Sequence, residues 1–193
     1  MLRRLYDWTM GLAGRRNALW ALAAISFVES SVFPIPPDIL LIPMVLAARQ
    51  RAFLIAGVCT VASVLGGAAG YGIGLFLFDT VGRPVLEFYG QVEGFAQFAE
   101  AFNEQGWWLV FGAGLTPFPY KVITIASGAT GLNFIVFMIA SIVARGLRFV
   151  IVAGLLYLFG EPIRAFIERW LGPLFVVFVL GLVGGFVAIR YLW

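Results

Sequence analysis

Long apolar runs separated by short charged patches dominate the chain. Residues 52–78 form a run of 27 residues without a charge, and 132–158 and 171–192 are comparably long and mostly apolar. A transmembrane helix needs about 20 apolar residues to cross roughly 30 Å of hydrocarbon. The pattern therefore predicts transmembrane helices over 52–78, 132–158 and 171–192, about three in all.

Two further apolar regions, 17–48 and 107–130, are interrupted by prolines. Proline lacks a backbone donor and clashes with the preceding turn, so neither region forms one regular helix. An arm of about ten residues beside such a break reaches only ~15 Å, about half of the hydrocarbon thickness. We therefore predict a re-entrant hairpin in each region, broken at Pro34 and Pro36 in the first and at Pro117 and Pro119 in the second.

The two breaks are related by a constant offset of 83 residues, which places Asp38 opposite Lys121. Short, proline-interrupted apolar segments in corresponding positions of two halves are typical of inverted repeats whose broken helices meet near the membrane midplane. The sequence therefore predicts an all-α integral membrane protein. It forms a single domain over 1–193 with two opposed re-entrant hairpins.

Charges at the ends of the apolar runs indicate the orientation in the membrane. Cytoplasmic flanks are enriched in Lys and Arg. Arginines flank the first hairpin on both sides, whereas 79–106 contains five acids and one arginine. We therefore place the flanks of the first hairpin in the cytoplasm and 79–106 outside.

Residues 84–105 are predicted to form an amphipathic helix. Apolar side chains recur there at steps of four and three, at Phe88, Val92, Phe95, Ala99 and Phe102. This spacing is typical of a helix with one apolar face, such as one that lies along a membrane interface. A surface helix that covers the second hairpin explains the spacing equally well.

Composition excludes several classes of function. Hydrophobic residues make up 62% of the chain and charged residues 12%, and the mean hydropathy is +0.97. The net charge of +3 is scattered in patches, which argues against nucleic-acid binding. The chain has no histidine and one cysteine, Cys59, and it lacks hydrolase and nucleotide-binding motifs. We therefore expect no enzyme activity, no metal and no cofactor.

Small residues indicate close helix packing. Gly66, Gly70 and Gly74 lie on one face of the first predicted transmembrane helix, and Gly181 and Gly185 repeat the spacing in the last. Rows of this kind bring helix backbones together. The sequence leaves open whether they pack within one chain or in a homo-oligomer.

Five charged residues fall at bilayer depth: Glu29, Asp38, Lys121, Arg145 and Arg148. A charged side chain inside the membrane costs free energy, so each of these residues is interpreted first as part of a functional site. Arg145 lies about 20 Å from either end of its predicted helix and needs a partner inside the protein. One interpretation is that Arg145, Arg148 and Lys121 bind a phosphate or phospholipid headgroup. The other is that the arginines form ion pairs with Glu29 and Asp38 that fasten the hairpins. Those two acids either take up protons or are purely structural.

Three segments together resemble the DedA family, also called SNARE-associated Golgi or VTT-domain proteins. They are ESSVFPIPPD at 29–38, ASGA at 126–129 after the second break, and LFG at 158–160. The resemblance covers roughly 20–160. It implies an inner-membrane protein with two opposed re-entrant hairpins that moves lipids such as undecaprenyl phosphate or phospholipids. It also implies that Glu29 and Asp38 couple transport to protons.

The chain departs from the family in one motif. Family arginines near the second hairpin usually bracket a proline as R-x-x-P-x-x-R. Here Gly114 stands at the first arginine position, and Lys121 follows the second position by one residue. We expect Arg145 and Arg148 to supply the missing positive charge.

These observations lead to one prediction and two alternatives. The chain is predicted to be a flippase or scramblase in the bacterial inner membrane that moves a phosphate-bearing lipid and responds to protons. The alternatives are a proton-coupled transporter of a small solute or ion, and a membrane-organising protein that transports nothing.

Overall fold

Every regular element in the described part of the chain is a helix. The computed structural model describes residues 17–32, 36–116, 119–160 and 162. The α-helices are α1 (Ala18–Ser31), α2 (Asp38–Ala47), α3 (Ala52–Leu77), α4 (Arg83–Phe88), α5 (Val92–Glu104), α6 (Gly106–Leu115), α7 (Tyr120–Ala129) and α8 (Phe134–Gly160). A 3₁₀ turn at Arg49–Arg51 precedes α3, and a π-helical turn at Phe78–Gly82 joins α3 to α4. The predicted all-α class is therefore confirmed for these residues.

Two of the helical stretches are long and apolar enough to cross a membrane. The first runs over Arg49–Phe88 and includes α3, and the second is α8. They coincide with the predicted helices at 52–78 and 132–158. The third predicted helix, 171–192, lies outside the described residues, as do two of the predicted break residues, Pro34 and Pro117.

The remaining apolar helices are short. Helix α1 has 14 residues, and α2, α6 and α7 have 10 each. At 1.5 Å per residue they reach ~15–21 Å, which is less than the roughly 30 Å of a hydrocarbon core. Pro37 precedes α2 and Pro119 precedes α7 as the residue at the helix start. The proline breaks therefore divide both regions into pairs of short helices, as the sequence predicts.

Helices α1 and α3 run parallel to each other. The Ser26 hydroxyl lies 3.2 Å from the Cys59 sulfur, and the Ser30 hydroxyl lies 2.7 Å from the Ser63 hydroxyl, with the same sequence separation of 33. A constant separation means that both helices start at the same end of the bundle. Because α2 ends shortly before α3 begins, α2 returns to that end. Helices α1 and α2 therefore form a hairpin.

The second half of the chain repeats this arrangement in the opposite direction. Gly114 packs against Ala144 and the Thr116 carbonyl accepts a hydrogen bond from Arg148, so α6 and α8 are parallel. Helices α3 and α8 are antiparallel, because their contacts pair Tyr71 with Phe137, Ser63 with Arg145, and Phe53 with Tyr157. The α6–α7 hairpin therefore starts from the end of the bundle opposite to that of the α1–α2 hairpin.

The glycine row of α3 packs against both hairpins. A Cβ at Gly66 would collide with the Phe27 carbonyl of α1, and a Cβ at Gly74 would collide with the Ile125 carbonyl of α7. Close approach of backbones at small residues is the usual way in which membrane helices associate. The predicted close packing is therefore confirmed within the chain for this row. Gly181 and Gly185 lie outside the described residues.

The predicted amphipathic helix at 84–105 consists of two helices. Gly90 ends α4 with a φ of 65°, and the Gly90 and Gln91 amides bond back to the Glu87 and Leu86 carbonyls at 3.2 and 2.9 Å. Glycine adopts this left-handed conformation at little cost, and it stops the helix. Phe88 therefore does not share a helix with the apolar face of α5, of which Phe102 alone is buried.

Candidate functional site

Arg145 is buried at the centre of the bundle with its charge compensated. Arg145 is 1% exposed. Its Nη2 donates to Glu29 Oε2 at 3.0 Å, and its Nε donates to Ser63 Oγ at 2.6 Å. The Ser30 hydroxyl donates to the same Glu29 oxygen at 3.1 Å. A buried charge is tolerated when it is paired and hydrogen-bonded in this way. Arg145 thus has the internal partner that its position in the sequence requires.

Two aromatic rings also contact the Arg145 guanidinium. The Cζ atom lies 4.8 Å from the ring centroids of both Tyr120 and Phe149. An arginine at this distance from an aromatic face gains a cation–π interaction, which is stronger away from water. Sequence reasoning missed both rings, although Phe149 lies one helical turn after Arg145 and Tyr120 directly follows the second proline break.

Arg148 links the two hairpins. Its Nη2 donates to Asp38 Oδ2 at 2.7 Å, and its Nη1 donates to the Thr116 carbonyl at 3.2 Å. Asp38 is the first residue of α2, and Thr116 is the residue at the end of α6. An acid at a helix N-terminus and a cation at a helix C-terminus are both stabilised by the helix dipole. Arg148 therefore fastens the start of one short helix to the end of another.

The two ion pairs differ in exposure. The side chains of Arg148 and Asp38 are 20% and 23% exposed, whereas those of Arg145 and Glu29 are 1% and 16% exposed. Among the described residues, Asp38 Oδ1 has no hydrogen-bond partner. The Arg148–Asp38 pair is therefore the more exposed of the two, although Asp38 Oδ1 itself is buried, and the Arg145–Glu29 pair lies deeper.

Lys121 stands apart from these pairs. It lies in the first turn of α7, half-buried, and no ion pair with it occurs within the described residues. A cation at a helix N-terminus opposes the dipole, so the position does not stabilise α7 by itself. Of the five predicted charged residues, the structure brings four together and leaves Lys121 outside their hydrogen-bond network.

Small hydroxyl residues connect the site to the helix packing. The Thr124 hydroxyl of α7 donates to the Ser30 carbonyl of α1 at 3.2 Å, so the two hairpins touch directly. The Ser30 hydroxyl contacts the Ser63 hydroxyl, and the two serines hydrogen-bond with Glu29 and Arg145 respectively. Sequence reasoning missed these residues. The signal for them is polar side chains four residues apart on apolar helices, as at Ser26 and Ser30 in α1 and at Cys59 and Ser63 in α3.

The chemistry of the described site is the binding of negatively charged groups by arginine. In the described ranges, no three acidic or cysteine side chains come together as metal ligands do. Guanidinium groups bind carboxylates and phosphates with the same hydrogen-bond geometry. The Arg148 guanidinium, which holds the Asp38 carboxylate here, therefore has a chemistry that suits carboxylate or phosphate oxygens.

Comparisons with known proteins identify relatives over most of the chain. The family model of the VTT domain matches residues 35–158. A Haemophilus influenzae protein is 37% identical over 165 residues, which cover 86% of this chain and 85% of that protein. A Histophilus somni protein is 39% identical over 161 residues, which cover 83% and 84% of the two chains. Both are described as uncharacterized proteins. No solved structure matches the chain.

Proposed function

The chain belongs to the DedA family of VTT-domain membrane proteins, and on this premise we propose that it is a membrane transporter that moves a phosphate-bearing lipid across the bilayer. The lipid is a polyprenyl phosphate such as undecaprenyl phosphate, or a phospholipid, and the location is the bacterial inner membrane. The observation that carries the proposal is the Arg148–Asp38 ion pair, which is partly exposed and whose arginine also donates to the Thr116 carbonyl of the second hairpin.

The proposed topology makes both hairpins re-entrant. Helices α1 and α2 start and finish at one end of the α3–α8 pair, and α6 and α7 do so at the other end. Short helices that return in this way bring their broken ends to the middle of the bilayer, where they line a polar path. A headgroup follows this path while its acyl or polyprenyl tail stays in lipid.

Arg148 is proposed as the first headgroup contact. Its guanidinium is reachable, and its two terminal nitrogens already donate to the Asp38 carboxylate and the Thr116 carbonyl. A phosphate offers the same acceptors with more charge, so it competes with Asp38 for Arg148. Lys121 is proposed as a second contact, because its charge is not used by the ion pairs. Arg145 is proposed to hold the hairpins against α8 from the buried side, through Glu29 of the first and the Tyr120 ring of the second.

Asp38 is proposed to couple headgroup binding to protons. Removing one charge of a partly buried ion pair leaves the other charge without compensation. When a proton neutralises Asp38, Arg148 loses its carboxylate and gains affinity for a phosphate. Glu29 stands in the same relation to Arg145 and responds to protons in the deeper pair. Proton binding and headgroup binding therefore favour each other.

The experiment is lipid translocation by the purified protein in liposomes. It compares a labelled zwitterionic phospholipid with a labelled polyprenyl phosphate, with and without a pH gradient. Arg148→Gln is expected to abolish movement. The matched control is Arg83→Gln, because Arg83 also pairs with an acid, Glu87 at 3.8 Å, but both side chains are 62% exposed. If folded R148Q moves lipid as fast as the natural sequence, the headgroup role is wrong.

The same ion pair also favours the non-transporting alternative. Two arginines paired with two acids are what a purely structural fastening of the hairpins requires. Exchanging the charges, Arg148→Asp together with Asp38→Arg, separates these functions. For a fastening, the exchange is expected to recover stability and function relative to Arg148→Asp alone, whereas a phosphate site stays inactive because its arginine is gone from α8. A solute transporter would instead take up a soluble substrate into the liposomes and would not move the labelled lipids.

A further inference from the structure

Two hydroxyl groups in the core have no hydrogen-bond partner among the described residues. They are Tyr120 Oη, in the first residue of α7, and Ser141 Oγ, in α8. Both residues are 0% exposed. Tyr120 packs against the Arg145 guanidinium, and Ser141 lies one helical turn before Arg145, so the two residues meet at the same part of α8. Leaving one buried polar group unsatisfied costs roughly 1–3 kcal/mol, so native proteins satisfy such groups with protein or with ordered water.

The two hydroxyls lie at one end of the polar face of α8. Ser141, Arg145 and Arg148 occupy positions i, i+4 and i+7, which share one face of a helix. The Tyr120 ring contacts the Arg145 guanidinium at 4.8 Å, so the tyrosine connects the hydroxyl pair to the deeper ion pair. The polar face from Ser141 to Arg148 extends ~10 Å along α8.

Gly67 of α3 borders the same place. A Cβ built on Gly67 would lie 3.1 Å from Tyr120 Oη and 3.5 Å from Phe137 Cζ. An alanine at this position would therefore press its methyl group against the tyrosine hydroxyl. The glycine keeps a carbon atom away from the oxygen, which leaves the oxygen free to take a polar partner.

We propose that Tyr120 and Ser141 form a binding site for a buried water molecule beside Arg145. A buried water needs two or more polar partners, and these hydroxyls supply two that donate and accept. An ion is a poorer guest, because the nearby Arg145 charge is already neutralised by Glu29. The site brings water to the Arg145 guanidinium from the side of the second hairpin. Its use as part of the proton route rests on the proposed function, but the water site itself does not.

The test follows exchange of a thiol proton with heavy water. Cys59 is the only cysteine, so Cys59→Ser gives a chain without thiols into which Ser141→Cys is introduced. The control is Ala140→Cys, because Ala140 is also 0% exposed and is the preceding residue of α8, but packs in an apolar cluster with Phe137. After transfer to heavy water, infrared spectroscopy measures the conversion of S–H to S–D.

The S141C thiol is expected to exchange at least an order of magnitude faster than the A140C thiol. Adding Gly67→Ala is expected to slow the exchange at S141C. Adding Gly72→Ala is expected to leave it unchanged, because nothing lies within 4 Å of a Cβ there. Slow exchange at both thiols overturns the proposal, and so does equally fast exchange at both. Neither readout involves lipid transport, so failure of the proposed function leaves this result standing.

A stability measurement covers the case in which S141C fails to fold. Tyr120→Phe removes one hydroxyl from the otherwise natural chain. If the hydroxyl binds water, its removal costs a hydrogen bond and lowers the unfolding temperature. If the hydroxyl is unsatisfied, its removal relieves a desolvation penalty and raises the unfolding temperature, which overturns the proposal.

Discussion

The Arg145 guanidinium donates to the Glu29 carboxylate at 3.0 Å, although 116 residues separate the two along the chain. The bond joins the middle of α8 to the last turn of α1, so it connects the second half of the molecule to the first hairpin. Since the arginine is almost completely buried, the two charges stabilise the structure only as a pair.

Loss of Arg145 alone is therefore expected to destabilise the protein strongly. Arg145→Met should lower the free energy of unfolding by about 3–5 kcal/mol, because Glu29 is left without a counter-charge. Adding Glu29→Gln should recover most of this loss. Unfolding in detergent micelles measures the double-mutant cycle. If the second substitution makes the first one worse, the two residues do not act as an ion pair.

Asp38→Asn is expected to remove the pH dependence of transport. Under the proposed coupling, transport by the natural sequence rises as the pH falls, because protonated Asp38 releases Arg148. Asparagine imitates the neutral acid at every pH, so D38N should transport at the high rate throughout. Initial rates in liposomes over a range of pH measure this. A D38N protein that is folded but inactive at all pH values contradicts the coupling.

Gly74→Ala is expected to disturb the packing of α3 against α7. The new methyl group meets the Ile125 carbonyl, a backbone atom that cannot turn away. Overpacking of this kind costs typically 1–3 kcal/mol. Gly72→Ala, two residues earlier on the same helix, meets nothing within 4 Å and should be neutral or slightly stabilising. Equal stability of the two variants would show that α3 and α7 do not approach as described.

Ser26→Cys is expected to form a disulfide with the native Cys59. The Ser26 oxygen lies 3.2 Å from the Cys59 sulfur, so two thiols at these positions face each other. Oxidation with copper phenanthroline should therefore remove both free thiols, as counted with a maleimide of high mass. Ala24→Cys lies on the exposed face of α1 and should keep its thiols. Crosslinking at 24 instead of 26 would contradict the parallel register of α1 and α3.

The sequence predicts the helical elements well where a single physical rule decides them. Apolar length identifies α3 and α8, and proline together with insufficient length identifies the paired short helices. Glycine spacing identifies the packing face of α3. The prediction of one amphipathic helix over 84–105 differs from the structure because the spacing of apolar residues continues across Gly90. The spacing of apolar residues does not reveal that one residue between them, Gly90, has a left-handed backbone conformation.

The site is only partly readable from the sequence. The need of Arg145 for an internal partner follows from its depth, and few acids are available at that depth. The assignment of Glu29 to Arg145 and of Asp38 to Arg148 requires the register of α1, α2 and α8, which depends on packing between distant segments. Tyr120 and Phe149 look like ordinary apolar residues in the sequence, because an aromatic ring beside a cation is defined only in three dimensions.

The shortness of α2 and α7 changes the barrier that a headgroup meets. Each has 10 residues, or ~15 Å, which is half of a hydrocarbon core roughly 30 Å thick. Under the proposed topology, helix ends and their charges lie at the midplane of the bilayer. The headgroup then crosses the hydrocarbon core in two short steps, with a polar site between them, and this site is the resting point. The rate of crossing then depends on a transfer from the surface to the midplane, which is half as long as an undivided crossing. A thicker bilayer lengthens both halves and should slow both transfers.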